Sequence, residues 1–218
     1  AYALKEFAAK FRLTRRAMLN DDAGAFAMNG RKLGRAASRM VGDRFWSVIT
    51  TNAALDNDNT ALFHNNHGNL QSSGAAPSVS QLDLAYADIE AQTDPSGDGF
   101  VGGEPQFICG PPALRGTIET LVTASFNPAN ANNTENRYKN RLVPVIEPRL
   151  TANSTTAWYL LKHADMFDTI ELGFLNGITA PYMRNEQEWD TRAIAWVVGI
   201  DCEGKALDYR NAYKDPGT

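Results

Sequence analysis

Two histidines three residues apart, His64 and His67 in the run HNNH, have the spacing that most suggests chemistry. On one helical face, two imidazoles at this spacing could share a zinc ion. A zinc hydrolase also needs a third ligand and a carboxylate base, and neither Asn65 nor Asn66 can replace the Glu of the HExxH motif. We therefore expect both histidines to form hydrogen bonds within a loop. A metal-dependent hydrolase using His64 and His67 is the alternative.

Two further segments carry residue types that are found in functional sites. Residues 94–99 (DPSGDG) resemble the start of an EF-hand loop, but Pro105 occupies the twelfth position, where a calcium loop needs Glu. We predict an ordinary Gly/Asp turn. Cys109 lies in an apolar segment, which is typical of a packing residue and not of a nucleophile. The sequence thus predicts no catalytic, cofactor-binding or metal-binding residue, and no cofactor.

A long helix is the element that positions the most conspicuous charges. We predict that it begins at Asn20, Asp21 or Asp22, whose side chains can cap a first turn, and that it ends near Asn52. Its apolar residues recur at separations of three, four and seven, as on one helical face, namely Phe26, Leu33, Ala37, Met40, Val41, Phe45, Val48 and Ile49. Several glycines, such as Gly30 and Gly34, weaken the helix and allow another backbone to approach closely.

Five basic residues lie on the remainder of this helix and form the candidate functional site, namely Arg31, Lys32, Arg35, Arg39 and Arg44. The common explanation of such a pattern is a solvated face on a core helix. No interleaved aromatic residues or reading motif accompany the charges, so specific nucleic-acid binding is not predicted. The alternatives are contact with DNA without sequence specificity and ion pairs with acidic residues of a neighbouring subunit.

The charge distribution favours self-association. Residues 1–50 contain ten Lys/Arg and four Asp/Glu, a net charge of +6, whereas residues 51–218 contain eleven and twenty-one, a net charge of −10. Oppositely charged regions can pair within one chain or between copies, where charge complementarity fixes register and partner choice. With 218 residues and 43% apolar content the chain can bury a substantial core. No secretion signal or membrane-length apolar run is present, so we expect a soluble protein from a reducing compartment.

The rest of the chain reads as mixed helix and strand. Residues 52–78 are polar, and we expect a long loop without a core of its own. A capping box at Ser78 and Gln81 predicts a helix over residues 79–92, followed by a strand at 106–109 and a helix from Pro111 and Pro112 to about residue 124. An Asn-rich loop over 127–140 is predicted to be exposed. Strands are predicted at 142–146, on a sheet edge because of Pro144, and at 157–161.

The last third of the chain is predicted to consist mostly of strands. Asn176-Gly177 between residues 169–174 and 178–183 is typical of a type I′ hairpin turn. Residues 193–200 predict a further strand, Gly204 permits a turn, and residues 206–209 could pair back. Because the chain opens with Ala in strand-like sequence, we expect it to begin within a longer protein.

An ordered set of motifs resembles the major capsid proteins of tailed phages, in the branch of Mu-like head proteins and prohead protease–capsid fusions. The motifs are FRLTRR at 11–16, NDD at 20–22, GRAA at 34–37, FW at 45–46, LFHNNHGN at 62–69, PPAL at 111–114, VIEPRL at 145–150, AWYL at 157–160 and DYRNAYKDPG at 208–217. No single motif is decisive, but together they keep their order from residue 11 to 217.

This resemblance implies an α+β chain with the Hong Kong 97-like phage capsid fold. Residues 1–17 would end an extended loop, 18–60 would hold the spine helix of a peripheral domain, and 61–145 an axial domain. Residues 146–218 would supply further axial strands and the peripheral sheet, on which the spine helix would pack. The family's lysine–asparagine cross-link cannot be transferred, because its lysine would lie upstream of Ala1.

The function that the resemblance implies is structural and not enzymatic. The chain would form hexamers and pentamers of an icosahedral head that encloses double-stranded DNA, in the virion capsid, after assembly in the bacterial host cytoplasm. Its partners would be copies of itself, packaged DNA bound without sequence specificity, and portal and scaffold proteins, with no membrane. A nanocompartment shell protein, which encloses a cargo enzyme, is the nearest alternative.

Overall fold

The computed structural model describes residues 3–20, 25–129, 134–190 and 193–218. The chain forms two compact units. The first comprises Ala1–Ser47 and Leu172–Lys205, and the second comprises Val48–Glu171 and Ala206–Thr218. In chain order the elements are β1 (Lys5–Leu13), α1 (Arg15–Leu19), α2 (Ala25–Thr51), α3 (Val79–Glu90), β2 (Phe107–Gly110), α4 (Arg115–Thr123), β3 (Val143–Ile146), β4 (Trp158–Leu161), β5 (Ile170–Phe174), β6 (Tyr182–Gln187), β7 (Ile194–Ala206) and β8 (Ala212–Asp215).

The long helix is confirmed, with a different beginning. The helix α2 has 27 residues, about 40 Å at the usual rise of about 1.5 Å per residue. Asn20 does not cap it, because Asn20 ends the separate short helix α1, which Thr14 caps. Asp21 and Asp22, the other predicted caps, lie outside the described residues. The predicted end near Asn52 is confirmed.

In the first unit, the sheet is built around the long strand β7. The strand β1 pairs with it antiparallel from Lys5↔Cys202 to Leu13↔Ile194, and β6 and β5 both pair with β7 along its other edge. The sheet packs against α2, as predicted. The shared core consists of Leu33, Ala37, Met40 and Val41 from the helix with Phe7, Phe174, Val198, Ile200 and Cys202 from the strands.

Two predictions for this sheet were wrong. Asn176 and Gly177 do have the positive φ angles of the predicted turn, 53° and 71°, but β5 and β6 do not form a hairpin, because both pair with β7. Gly204 does not permit a turn, since β7 runs through it to Ala206. The following residues turn away from β7, and β8 pairs with β4 in the second unit.

The second unit has a four-stranded sheet in the order β3-β2-β4-β8, with α3 and α4 packed against it. The predicted helices and strands of this region are confirmed. The Ser78 hydroxyl accepts a hydrogen bond from the Gln81 N–H at 3.3 Å and so caps α3. The strand β3, which contains Pro144, lies on the predicted edge. The core of the second unit includes the fully buried Trp158, Ile108 and Leu82.

The sequence predicted that residues 52–78 form a polar loop without a core of its own. In the structure, some side chains of this loop are buried. Leu55, Leu62 and Phe63 are at most 1% exposed. At the start of this loop, Asn52 adopts φ 51° and its side-chain amide exchanges two hydrogen bonds with the backbone of Phe63, at 2.7 and 3.1 Å. The loop therefore contributes buried side chains to the second unit.

The Asn-rich loop is also more ordered by packing than predicted. Asn136 and Tyr138 are buried, and the Asn136 amide donates to the Leu121 and Ala124 carbonyl oxygens at 2.6 and 3.0 Å. Residues 130–133 of the predicted loop lie outside the described residues.

Candidate self-association surface

Four of the five candidate basic residues share one exposed face of α2. With about 3.6 residues per turn, positions 31, 32, 35 and 39 fall within roughly a third of the helix circumference. Arg31, Lys32, Arg35 and Arg39 are all exposed, opposite the residues that pack on the sheet. This arrangement presents a band of positive charge to whatever lies outside the unit.

Arg44 does not belong to this band. It is half-buried on the sheet side of α2, with its guanidinium carbon 4.9 Å from the centre of the Phe7 ring, a cation–π contact. Its charge also acts on the buried Glu203. Burial raises the pKa of this carboxyl group, but a hydrogen bond and charge from Lys5, the Gly204 N–H and the charge of Arg44 together lower it below its ordinary value. Arg44 therefore stabilises the packing of helix on sheet.

The two histidines form hydrogen bonds within their loop, as predicted. His64 Nδ1 accepts from the Asn66 N–H at 3.1 Å. His67 Nδ1 lies 3.2 Å from the Leu62 carbonyl oxygen, and its Nε2 lies 2.6 Å from Asp58 Oδ2. Among the described residues, no group of three or more His, Cys, Asp or Glu side chains could hold a metal ion. The geometry therefore gives no support to the hydrolase alternative.

The EF-hand-like segment forms the predicted Gly/Asp turn. Asp94 Oδ1 accepts hydrogen bonds from the Ser96 N–H, the Ser96 hydroxyl and the Gly97 N–H, at 2.7 to 3.0 Å. The Ser96 bond above all lowers the pKa of Asp94. The Asp94 carboxylate is therefore bonded within its own turn, to Ser96 and Gly97.

Cys109 is a packing residue, as predicted. It is 1% exposed in the central strand β2, and burial raises the pKa of its thiol to about 12. Because the thiolate is the reactive form, this thiol is poorly suited to nucleophilic chemistry at neutral pH.

A polar cluster joins two of the sequence motifs, and nothing in their spacing predicted it. The His67 ring stacks on Tyr209, with ring centroids 3.8 Å apart. Asn69 donates from its amide to the Leu62 and Tyr209 carbonyl oxygens, and the Lys214 N–H donates to the Asn69 carbonyl oxygen at 2.9 Å. The segments LFHNNHGN and DYRNAYKDPG thus hold each other in the second unit.

The turn between β6 and β7 is a second feature that the sequence analysis missed. Trp189 is 95% exposed there, between acidic residues. A tryptophan after Glu188 and before Asp190 in a polar segment was the available signal.

A family model described as phage capsid protein matches residues 1–214. The chain belongs to this phage capsid family. A search of the curated proteins finds no match. Membership of the phage capsid family identifies the chain as a structural shell protein. No helix in the described part of the chain is both long and apolar enough to cross a membrane.

Solved structures of capsids share the fold at low sequence identity. The capsid of Ralstonia phage GP4 aligns with a TM-score of 0.65 and 9% identity, over 99% of this chain and 74% of that one. The capsid of a native GTA particle gives 0.60 and 12%, over 97% and 71%. The SrpI encapsulin of Synechococcus elongatus PCC 7942 gives 0.56 and 14%, over 99% and 75%. The chain therefore has the Hong Kong 97-like α+β fold that the sequence resemblance implied.

Proposed function

We propose that this chain is the major capsid subunit of a tailed phage, which assembles into hexamers and pentamers of an icosahedral head around double-stranded DNA. The observation that carries the proposal is the match to the phage capsid family over residues 1–214. The head would be assembled in the bacterial cytoplasm with portal and scaffold proteins, and the chain would remain in the virion capsid.

We infer that the two compact units correspond to the two domains of this fold. The unit with α2 and β7 would be the peripheral domain, and the unit with α3, α4 and the sheet of β2, β3, β4 and β8 the axial domain. In this proposal the packed helices and sheets keep the shape of the subunit, while loops such as 127–140 adapt to different symmetry environments.

The exposed basic band of Arg31, Lys32, Arg35 and Arg39 supports contacts outside the subunit. It would pair with acidic residues of a neighbouring copy or with DNA phosphates, both of which gain from complementary charge. Arg44, which contacts Phe7, has no part in this role.

The alternative within the same fold is a nanocompartment shell, which the similarity to an encapsulin favours. The contents of particles purified from the natural source separate the two functions. We expect particles treated with nuclease to release protected double-stranded DNA of defined length. Particles that contain one abundant cargo protein and no protected DNA would refute the phage-head proposal and support the nanocompartment.

A further inference from the structure

Trp189 is the most exposed large apolar side chain among the described residues, at 95%. Tryptophan is among the residues that most often dominate the binding energy of protein interfaces when they become buried. A side chain with this exposure makes almost no contact with its own chain. Its environment in the isolated subunit therefore does not explain its presence.

The backbone holds this tryptophan in place. The ladder between β6 and β7 extends to Gln187↔Ile194, and the Glu188 N–H donates to the Ala193 carbonyl oxygen at 2.8 Å. The Glu188 carboxylate forms ion pairs with Arg12 and, at 3.6 Å, with Lys10 of β1. Trp189 follows directly on this anchored residue.

Acidic residues flank the indole on both sides. Glu186 and Asp190 are exposed, and the charge of Glu188, between them in sequence, is matched by Arg12 and Lys10. The segment from Glu186 to Asp190, called the acidic turn below, therefore carries one exposed aromatic ring and two exposed carboxylates. This combination fits a partner surface that offers cations together with a group that can pack on an aromatic face.

The basic band of α2 is such a surface. Arg31, Lys32 and Arg35 of this band lie three, four and seven residues after Met28, and all four side chains are exposed, Met28 at 56%. Arginine and lysine pair with carboxylates, while guanidinium groups and the thioether of methionine pack favourably against an indole ring. The band thus complements both parts of the acidic turn.

We propose that the acidic turn of one copy docks on the α2 band of a neighbouring copy, with Trp189 against Met28 and Arg35 and with Glu186 and Asp190 paired to Arg31 and Lys32. Both surfaces are exposed on the subunit, so both are accessible to another copy. Each copy carries one acidic turn and one band, and a head-to-tail contact of this kind produces a ring where the rotation between successive copies closes. This inference rests on the proposed shell function and specifies one of its subunit contacts.

Charge reversal on each side, and then on both sides, tests the contact. The turn variant carries Glu186→Lys and Asp190→Lys, and the band variant carries Arg31→Glu and Lys32→Glu. We expect each variant alone to raise the protein concentration needed for assembly by roughly tenfold or more, as for the loss of an interface hot spot. Combining all four substitutions in one chain should restore assembly, because the charges are again complementary.

Trp189→Ala tests the aromatic part, with Phe100→Ala as the control, since Phe100 is another exposed aromatic residue at 76%. We expect only the first to weaken assembly. In shells of the wild-type protein, the tryptophan fluorescence attributable to Trp189, taken as the difference from Trp189→Phe, should be shielded from acrylamide. The thermal midpoint of the unassembled subunit should not change, because the substituted side chains are exposed.

The outcomes separate this inference from the shell function. Normal shells from the turn variant and from Trp189→Ala, together with acrylamide quenching of Trp189 in wild-type shells, would overturn the contact and leave the shell function intact. A defect of DNA retention in the band variant alone, with a normal turn variant, would also overturn it and assign the band to nucleic acid. Failure of the wild-type protein to form any shell would overturn the proposed function itself.

Discussion

At the scale of single residues, the chemistry suggested by His64 and His67 becomes structural once their neighbours are known. The Leu62 carbonyl oxygen and the Asp58 carboxylate can only accept hydrogen bonds, so both nitrogens of His67 donate when both bonds form. Stacking on Tyr209 holds the ring in the orientation that these bonds require. The pair of His67 and Asp58 therefore joins two parts of the loop over residues 52–78.

Asp58 gives this pair a defined pH dependence. A backbone hydrogen bond from Thr60 and, next, the bond to His67 lower the pKa of Asp58 below its ordinary value of 3.8. A carboxylate with a lowered pKa stabilises the fold at pH values above its ordinary pKa, and this contribution is lost as the pH falls through the folded value. We expect Asp58→Asn to reduce the free energy of unfolding at pH 7 by about 1 kcal/mol.

Thermal unfolding between pH 7 and pH 2 measures this effect. The difference between Asp58→Asn and the wild-type protein should shrink below about pH 4, where the wild-type carboxyl group also becomes neutral. Asp98→Asn, at an exposed position of the Gly/Asp turn, is the matched control. It should leave the thermal midpoint unchanged at every pH tested. A constant difference between Asp58→Asn and wild type down to pH 2 would contradict the assignment.

Residue types and spacing predicted the behaviour of Cys109 and of the Gly/Asp turn, because burial in an apolar strand and Asx hydrogen bonds are local properties. Grouping Arg44 with the other basic residues of α2 was wrong. Arg44 follows Arg35 by nine residues, about 180° around a helix with about 3.6 residues per turn, and its interactions with Phe7 and Glu203 place it on the sheet side.

At the scale of elements, the residue that follows α2, Asn52, also forms hydrogen bonds with the loop that comes after the helix. Asn52 occupies the left-handed region, with φ 51°, and forms two hydrogen bonds with the Phe63 backbone. We expect Asn52→Ala to reduce the free energy of unfolding by about 2 to 3 kcal/mol, since it loses these bonds and strains the left-handed backbone. Asn52→Gly avoids the strain, so its loss of unfolding free energy should be about 1 kcal/mol smaller than that of Asn52→Ala.

Chemical denaturation of the unassembled subunit measures both variants. Asn59→Ala is the matched control, because Asn59 is exposed and also has positive φ, 56°, so this substitution introduces the strain alone. An Asn52→Ala variant no less stable than Asn59→Ala would show that the Phe63 bonds contribute nothing.

The elements that the sequence predicted correctly are those set by nearby residues. The capping box of Ser78 and Gln81 and the apolar periodicity of α2 are properties of consecutive turns. The prediction of a hairpin at Asn176-Gly177 was wrong. Both residues adopt the positive φ angles of the predicted turn, but the flanking strands pair with β7 and not with each other. The long strand β7 offers its edge to both β5 and β6, and a single sequence does not reveal that competition.

At the scale of the whole molecule, the order of weak motifs was more informative than any one of them. The motifs LFHNNHGN and DYRNAYKDPG meet in the cluster of His67, Asn69, Tyr209 and Lys214. Their role in this chain is therefore structural, and catalytic spacing alone would have suggested a different role. The exposed side chains of the acidic turn and of the α2 band, in contrast, direct attention to assembly.

Electron microscopy of the protein isolated from its natural source, after sedimentation, is the most direct test of the central claim that copies of this chain form a shell. We expect closed icosahedral particles tens of nanometres across, about the size implied by a subunit several nanometres long repeated many times. Their reconstruction should show this chain in five-fold and six-fold capsomers. A discrete monomer or dimer, with no larger species at any concentration, would contradict the claim.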